Sequence, residues 1–273
     1  LCKTAASLDK LQGAPIHADV AILFAFDNEY AFKIQPQTDG YYYLEQLQRL
    51  HRAFTALGLN VDVIGLHEPL DGYRIVCAPE MYVTDASVVE RLETFAQQGG
   101  TVILTTRSGV KDTHNNALMS QLPGPFRQMT GVHAVEYAPI GWVPLLFHDG
   151  TELHAGQWCD ILETDTAETL ARYNGDYFCG APAITRNRFG RGSVYYLGAV
   201  GTQPMYDRIA GEAAAEAALP VIPGLPPRVE IVTRTAGNTA ARFVFNNDDQ
   251  PKTFTLDAQT IKLAPFEMKI IMQ

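Results

Sequence analysis

The stretch from Asp19 to Gly58 constrains the fold of this chain more than any other. It opens on an apolar run from Val20 to Ala25, passes through a polar segment and ends in an amphipathic segment closed by glycine. An apolar run of strand length followed by 3.6-residue periodicity is typical of a strand–loop–helix unit in an α/β domain. The polar segment, Asp27 to Gln37, exceeds the roughly two to six residues of an ordinary connection. We therefore predict a functional loop there.

The amphipathic segment is predicted to form a helix that begins at Asp39, whose carboxylate can accept a hydrogen bond from an early backbone N–H. Its apolar residues recur at steps of three and four and make one stripe, namely Leu44, Leu47, Leu50, Phe54 and Leu57. Gly58 is expected at the C′ position, with Leu59 folded back onto the last turn.

The first part of the chain is predicted to follow the order β-α-β-β-α-β. After the first strand and helix, strands are expected at Asn60–Ile64, Tyr73–Ala78 and Thr101–Thr105, with a second helix over Asp85–Gln98. The last of these strands is nearly all apolar, as in strands covered on both faces. This order predicts an α/β fold with an open, Rossmann-like, mostly parallel sheet and helices on both faces.

The second part of the chain is predicted to contain shorter elements and a separate module. The short strands are expected at Val132–Tyr137, Thr151–Leu153, Thr169–Tyr173, Ala183–Arg186 and Ser193–Leu197. An alanine-rich helix over Pro204–Ala218 precedes a proline-rich boundary, and the alternating pattern that follows indicates antiparallel strands. We divide the chain into a linker over residues 1–17, an α/β domain over 18–222 and a small antiparallel β domain over 223–273, which should dock on the larger body.

The composition and charge of the chain argue against several classes of function. The net charge of −9 argues against a nucleic-acid partner, which would require a basic face. The longest apolar runs have the length of strands, so no membrane span is expected. The sequence shows no charged segment followed by an apolar one at its start, and its four cysteines include no C-x-x-C pair. Reduced thiols and a cytoplasmic location are therefore expected.

A search for catalytic motifs predicts neither a cofactor nor a metal. No phosphate-binding glycine motif follows the first strand, and Asp27 and Glu29 place negative charge where a phosphate would bind. The seven histidines lack tight metal-ligand spacing. The turn after the fourth strand could form a nucleophile elbow, but Arg107 occupies the position that needs serine or cysteine. Cys77 stays open as an amidotransferase-like nucleophile, against the alternative of a buried apolar thiol.

Two long polar segments follow the first and fourth strands, so both should lie at the edge where parallel strands end and where ligands or partners bind. They supply the candidate site residues Asp27, Asn28, Glu29, Arg107, Lys111, Asp112, Asn115 and Asn116. Exposed aromatic rings are an alternative signal, for carbohydrate binding either by the last module or by two tyrosine runs. Those runs are Tyr41–Tyr43 and Tyr195–Tyr196.

Several segments together resemble the region that follows the catalytic barrel in glycoside hydrolase family 42 β-galactosidases. They are Val20–Asn28, Ile34–Gln37, Leu59–Val63, Gly99–Asp112, Asn115–Asn116, Leu122–Pro125 and Ala183–Gly192. The resemblance spans roughly residues 18–200 and implies a trimerisation domain, similar in fold to class I glutamine amidotransferases, followed by a small β domain. It also implies that the catalytic glutamates lie in an upstream barrel, which needs about 250 residues and is absent here.

The resemblance therefore implies a non-catalytic chain. It would form a homotrimer through the eight candidate residues at the sheet edge. It would help to shape a pocket for terminal β-D-galactosides only within the full enzyme. Neither a catalytic role nor a cofactor or metal is assigned to any residue of this chain.

Overall fold

The computed structural model describes residues 11–237 and 239–272. Predictions for residues 1–10, which contain most of the linker and Cys2, and for Asn238 and Gln273 lie outside these ranges. The helices are α1 (Phe26–Ile34), α2 (Tyr43–Thr55), α3 (Ala86–Gln97), α4 (Arg127–Thr130) and α5 (Gln203–Glu216). The first strands are β1 (Val20–Phe24), β2 (Val61–Gly65), β3 (Ile75–Ala78), β4 (Thr101–Thr105) and β5 (Val132–Phe147). They are followed by β6 (Glu152–Thr164), β7 (Glu168–Tyr173), β8 (Pro182–Phe189), β9 (Gly192–Leu197) and β10 (Ala199–Gly201). The last strands are β11 (Val229–Ala236), β12 (Thr239–Asn246), β13 (Lys252–Leu256), β14 (Gln259–Leu263) and β15 (Met268–Met272).

A ten-stranded mixed sheet forms the body of the molecule, in the order β10-β6-β5-β7-β8-β9-β4-β3-β1-β2. The half from β9 to β2 is parallel throughout. The half from β10 to β9 is antiparallel. The predicted α/β class is confirmed, but a mostly parallel sheet describes only one half. In the other half, tight turns join β5 to β6 and β8 to β9, and strands joined in this way must be antiparallel.

One long hairpin, β5–β6, replaces the short strands that the sequence predicted at Val132–Tyr137 and Thr151–Leu153. Pro139, Gly141 and Pro144 interrupt the β5 sequence and argued against a continuous strand. In the structure, the register of β5 against β6 shifts twice, and one shift falls just after Pro139, between Ile140 and Val143. Bulges of this kind accommodate residues that would break a regular ladder.

The polar segment after β1 is the helix α1, so the prediction of a loop there was wrong. Its buried residues, Asn28, Glu29, Ala31 and Phe32, have helical spacing. Two of these four residues are polar, and three of the exposed residues, Phe26, Tyr30 and Ile34, are large and apolar. The helix therefore lacks the clear separation of apolar and polar faces by which helices are recognised in a sequence.

The predicted amphipathic helix is α2, which begins at Tyr43 rather than at Asp39 and has no side-chain cap. Its predicted end is confirmed. Gly58 has φ 76°, its N–H donates to Thr55 O at 2.9 Å, and the Leu59 N–H donates to Phe54 O at 3.4 Å. This is the bonding pattern of a Schellman motif, in which the left-handed residue favours glycine.

Apolar side chains cover both faces of the parallel half of the sheet. Alternate residues of β1 point to opposite faces, and all of Val20 to Leu23 are buried. The helices α2 and α5 pack on one face through residues such as Phe54 and Ile209. The helix α3 packs on the other through Val88 and Leu92. Each such side chain contributes about 1.5–3 kcal/mol when fully buried. None of the described helices is long and apolar enough to cross a membrane.

The last five strands form two small antiparallel sheets, β11-β12-β15 and β13-β14, with a hydrophobic cluster of their own. Hydrogen bonds tie them to the body. Asn60 Nδ2 donates to Thr233 O at 3.0 Å, and the Thr233 N–H donates to Asn60 Oδ1 at 3.2 Å. Nearby, the Ile222 N–H donates to Leu57 O at 2.8 Å. The domain limits drawn from the sequence remain a prediction.

Candidate assembly surface and the buried centre beneath it

Three segments meet where β1, β3 and β4 end, an edge called here the carboxyl edge. They are α1, residues 79–85 and residues 106–120. Backbone bonds join the last two, because the Gly109 N–H donates to Met81 O and the Thr84 N–H donates to Lys111 O, each at 2.8 Å. Asn28 of α1 accepts from the Val83 N–H at 2.8 Å. The carboxyl edge is therefore one connected surface.

The helix α1 buries two polar residues beside Ala31 and Phe32 and exposes three large apolar ones beside Asp27 and Lys33. Asn28 is fully buried and Glu29 is 8% exposed, whereas Phe26, Tyr30 and Ile34 are 64%, 54% and 79% exposed. A spacing of four residues places these three on one face of the helix, called here the apolar stripe. Three large apolar side chains exposed side by side on one helix face are expected to be covered by a partner.

A polar loop continues this surface. Lys111 Nζ donates to Gln35 Oε1 at the end of α1 at 3.0 Å and to Asn115 Oδ1 at 2.9 Å. Asp112 Oδ1 accepts from the backbone N–H groups of Asn116 and His114, each at 2.9 Å. The bonds from Asn116 do most to hold the pKa of the Asp112 carboxyl below its usual range. The loop is therefore ordered by its own side chains beside the apolar stripe.

The eight predicted site residues all lie in segments of the carboxyl edge, but they divide into two groups. Asp27, Lys111, Asp112, Asn115 and Asn116 reach the surface. Asn28, Glu29 and Arg107 are buried inside the chain itself. Contact between the first group and a neighbouring chain stays a prediction. The second group supports the surface from beneath.

Arg107 occupies the centre beneath this edge and is 5% exposed. Its guanidinium carbon lies 4.8 Å from the ring centres of both Tyr137 and Trp158 and 5.3 Å from that of Tyr82. Its backbone adopts φ 62°, the left-handed conformation that costs a residue with a side chain free energy. Cation–π contacts of this kind stabilise by about 0.5–2 kcal/mol each. The guanidinium thus holds strand ends and the β5–β6 hairpin together.

Two buried acids accompany Arg107. Asp160 accepts from the Tyr196 hydroxyl at 2.7 Å. Glu80 is fully buried, and neither of its carboxyl oxygens has a hydrogen-bond partner among the described residues; the Tyr41 hydroxyl lies beside it outside hydrogen-bonding geometry. Burial raises the pKa of both carboxyls, and the charge of Arg107 only partly opposes this. Burial with both oxygens unpaired therefore favours the protonated form of Glu80.

The buried acid gives a prediction for Glu80→Gln. The pKa of Glu80 is raised in the folded state. Its contribution to stability is therefore fully present below the ordinary pKa of 4.5 and is lost as pH rises towards the folded-state pKa. The free energy of unfolding of the wild-type chain should therefore fall by up to about 1.4 kcal/mol per pH unit because of this group. In Glu80→Gln this decrease should be absent. Urea unfolding between about pH 5 and pH 8 measures the difference. The exposed Glu90→Gln is the control, and identical slopes in wild type and Glu80→Gln would contradict the prediction.

Two alternatives from the sequence are not supported. Cys77 lies inside β3 with no exposed surface, and burial raises its thiol pKa, whereas a nucleophile requires a lowered one. In the two tyrosine runs, Tyr41, Tyr43, Tyr195 and Tyr196 are buried and cannot serve as sugar platforms, whereas Tyr42 is 64% exposed. In the part of the chain that the structure describes, no group of three His, Cys, Asp or Glu side chains could hold a metal ion.

Sequence reasoning did not identify Asp160, Tyr82, Tyr137 or Trp158 as members of this buried centre. Their positions on two predicted loops and an unpredicted hairpin gave no sign that they converge on Arg107. The alternating pattern of β6, in which Trp158 and Asp160 share a face, was the one signal available.

The fold and this edge define an α/β domain with three large apolar side chains exposed on one face of a helix. The family described as the β-galactosidase trimerisation domain matches residues 18–220. The chain belongs to this family of glycoside hydrolase family 42, as the sequence resemblance predicted.

Relatives and solved structures agree with this assignment. The β-galactosidase BgaA of Clostridium cellulovorans is 38% identical over 94% of the chain, and BglY of Alicyclobacillus acidocaldarius is 31% identical over 93%. The chain spans only 41% and 39% of these relatives. The β-galactosidase structure from Rahnella sp. R3 has a TM-score of 0.92 at 28% identity over 99% of the chain and 43% of that structure. That from Bacillus circulans sp. alkalophilus has 0.91 at 25% identity over 99% of the chain and 44% of that structure.

Proposed function

We propose that this chain assembles a homotrimer by burying the apolar stripe of α1 against a second copy of itself. The observation that carries the proposal is the exposure of three large apolar side chains, Phe26, Tyr30 and Ile34, on one face of α1. A solvent-facing helix would carry the opposite pattern. A second copy is the chosen partner because membership in a trimerisation-domain family supports self-association.

Threefold symmetry adds a geometric requirement. In a closed ring of three, each contact joins two different surfaces of neighbouring copies. The apolar stripe supplies one surface. For the other we propose the loop from Lys111 to Ser120, which lies on the same edge and ends near Met119, a side chain that is 98% exposed. Asp27, Asp112, Asn115 and Asn116 would form the polar rim of this contact.

In this proposal the chain contributes no catalytic group. The named relatives are β-galactosidases, and more than half of their length lies outside the match. We propose that hydrolysis of terminal β-D-galactosides takes place in a barrel within that remainder and that this domain positions neighbouring copies around it. The parallel strand order β2-β1-β3-β4-β9 and the left-handed Arg107 support a likeness to class I glutamine amidotransferases. We place the trimer in the cytoplasm.

Hydroxyl-radical footprinting tests the contact directly. Tyr30 and Met119 should be oxidised more slowly as the protein concentration rises, because assembly covers them. Tyr177 and Phe266 are 67% and 73% exposed and lie away from the carboxyl-edge segments, so they serve as matched controls. Equal oxidation of Tyr30 in the dilute and assembled samples would contradict the proposed interface.

The absence of a catalytic role predicts that the pure chain does not hydrolyse a chromogenic β-galactoside. The two buried acids beneath the described carboxyl edge, Glu80 and Asp160, have no exposed surface that a sugar could reach. The measurement is release of nitrophenol at high enzyme concentration. Turnover by the pure chain that survives further purification would contradict this part of the proposal.

A further inference from the structure

A cleft of about 620 Å³ opens at the carboxyl edge, between the start of α3 and the segment 106–120. Pockets of about 300–1,000 Å³ can enclose a small ligand, so this cleft has room for side chains from another molecule. Ala86, Leu118 and Pro125 form an apolar part of its lining, and Asp85 and Asp112 are its charged residues. The cleft therefore combines an apolar surface with two carboxyl groups.

The two carboxyl groups give the cleft a negative charge. Asp85 Oδ1 accepts from the Ser87 N–H at 2.6 Å, and Asp112 Oδ1 accepts from the N–H groups of His114 and Asn116, each at 2.9 Å. The bonds with Ser87 do most to lower the pKa of Asp85, as those from Asn116 do for Asp112, so both groups are ionised at neutral pH. None of the described lining residues is basic. A carboxylate accepts up to about four hydrogen bonds, so both can accept further from a cation.

The helix α1 carries a cation beside the apolar stripe. Lys33 follows Phe26 by seven residues, which places both on the same side of the helix, and it directly precedes Ile34. The Lys33 side chain is 66% exposed, and its ion-pair partner among the described residues is Glu29 of the same helix, at 2.7 Å. An ammonium group has three N–H donors, so Lys33 can keep this pair and donate to further carboxylates.

Within one chain, the cleft and the end of α1 are separate surfaces. Lys111 Nζ donates to Gln35 Oε1 just beyond α1 at 3.0 Å, and neither Lys33 nor Ile34 lines the cleft. A closed ring of three copies needs two different surfaces on each copy. Both surfaces lie on the carboxyl edge that the proposed trimer uses, and their charges are opposite.

We propose that, in the trimer, this cleft receives the end of α1 from a neighbouring copy. Ile34 packs on the apolar part of the lining at Leu118. Lys33 lies between the carboxylates of Asp85 and Asp112. The contact rests on the homotrimer proposed above and adds to it the cleft that forms the second surface.

The charges of α1 also set the direction in which the helix enters. Asp27 lies in its first turn and Lys33 in its last. The two carboxylates of the cleft repel the first turn and attract the last, and complementary charges of this kind fix the register of an interface and disfavour wrong ones. The end of α1, rather than its start, therefore faces the cleft.

Carbodiimide cross-linking, which joins an amine to a carboxyl group in direct contact, tests this arrangement in the assembled chain. Unlabelled and isotope-labelled chains are mixed at low concentration, concentrated, cross-linked and digested for mass spectrometry. We expect Lys33 joined to Asp85 or Asp112 in pairs that carry one labelled and one unlabelled peptide. A trimer without such mixed pairs would overturn this contact and leave the homotrimer standing. A chain that stays single at every concentration would overturn both.

A double-mutant cycle measured by sedimentation equilibrium tests the ion pair. Lys33→Met removes the charge but keeps an unbranched side chain. Asp85→Asn removes a charge at the N-cap of α3 but keeps a residue that caps helices equally well. Each single variant should weaken each contact about threefold, which three identical contacts turn into about 30-fold in the association constant of the trimer. In the Lys33→Met background, Asp85→Asn should have little further effect.

Lys262→Met is the matched control, because it removes an exposed lysine from β14 and should leave assembly unchanged. Circular dichroism melts confirm that each variant is folded. An unchanged association constant in folded Lys33→Met would overturn the proposed contact. An Asp85→Asn effect of the same size with and without Lys33 would overturn it as well.

Discussion

Replacement of Arg107 by alanine is expected to lower the free energy of unfolding by about 3–5 kcal/mol, the cost of removing one member of a buried charged group. The substitution empties the space between the rings of Tyr82, Tyr137 and Trp158. It also leaves the buried Asp160 without the nearby positive charge that opposes the rise of its pKa. Urea denaturation at neutral pH measures the loss.

Three further variants separate the effects of backbone conformation and charge at position 107 from the effect of losing any arginine. Arg107→Gly relieves the cost of φ 62° while losing the same side chain, so it should be less destabilising than alanine by up to about 1 kcal/mol. Arg107→Lys keeps the charge and should be less destabilising than either. Arg172→Ala removes an exposed arginine as a control. If Arg107→Ala lowers the free energy of unfolding by less than about 1 kcal/mol, the contacts between Arg107 and the three surrounding rings do not stabilise the fold.

The double variant Tyr30→Asp/Ile34→Asp is expected to dissociate the assembly, with an association constant lowered at least about 100-fold. Each side chain would otherwise contribute about 1.5–3 kcal/mol by burial. The introduced carboxylates would have to be desolvated against an apolar partner. Both native side chains are more than half exposed in the single chain, so its own folding should change little.

Phe266→Asp is the matched control for this variant. Phe266 is 73% exposed, like the stripe residues, but it lies between β14 and β15 in the small β domain. Light scattering should show smaller particles for the stripe variant and no change for the control. An unchanged mass for the stripe variant, together with an unchanged thermal midpoint, would remove α1 from the interface.

The sequence was informative where hydrophobic spacing and burial agree. The strand β1 was found because its apolar residues face the core. The helix α2 was found because Leu47, Leu50 and Phe54 of its predicted stripe are buried, although Leu44 is 41% exposed. The end of α2 was found because a left-handed residue after a helix favours glycine, and Gly58 has that conformation.

Prediction from the sequence failed where residues are placed for contact with a partner or with a distant part of the chain. The helix α1 turns Asn28 and Glu29 inward, so its periodicity indicated a polar loop. The β5 strand contains Pro139 and Pro144, residues that argue against a continuous strand, although both are paired with β6 on either side of a bulge. Arg107 was recognised as unusual for an elbow, but its partners Tyr137 and Trp158 come from that unpredicted hairpin. Their convergence depends on tertiary structure and has no local sequence signal.

Sedimentation equilibrium of the unmodified chain over about a 100-fold range of concentration tests the central proposal most directly. We expect a species with three times the mass of one chain, formed in a concentration-dependent equilibrium. The protein concentration at its midpoint should be higher in the Tyr30→Asp/Ile34→Asp variant. A single species with the mass of one chain at every concentration would contradict it.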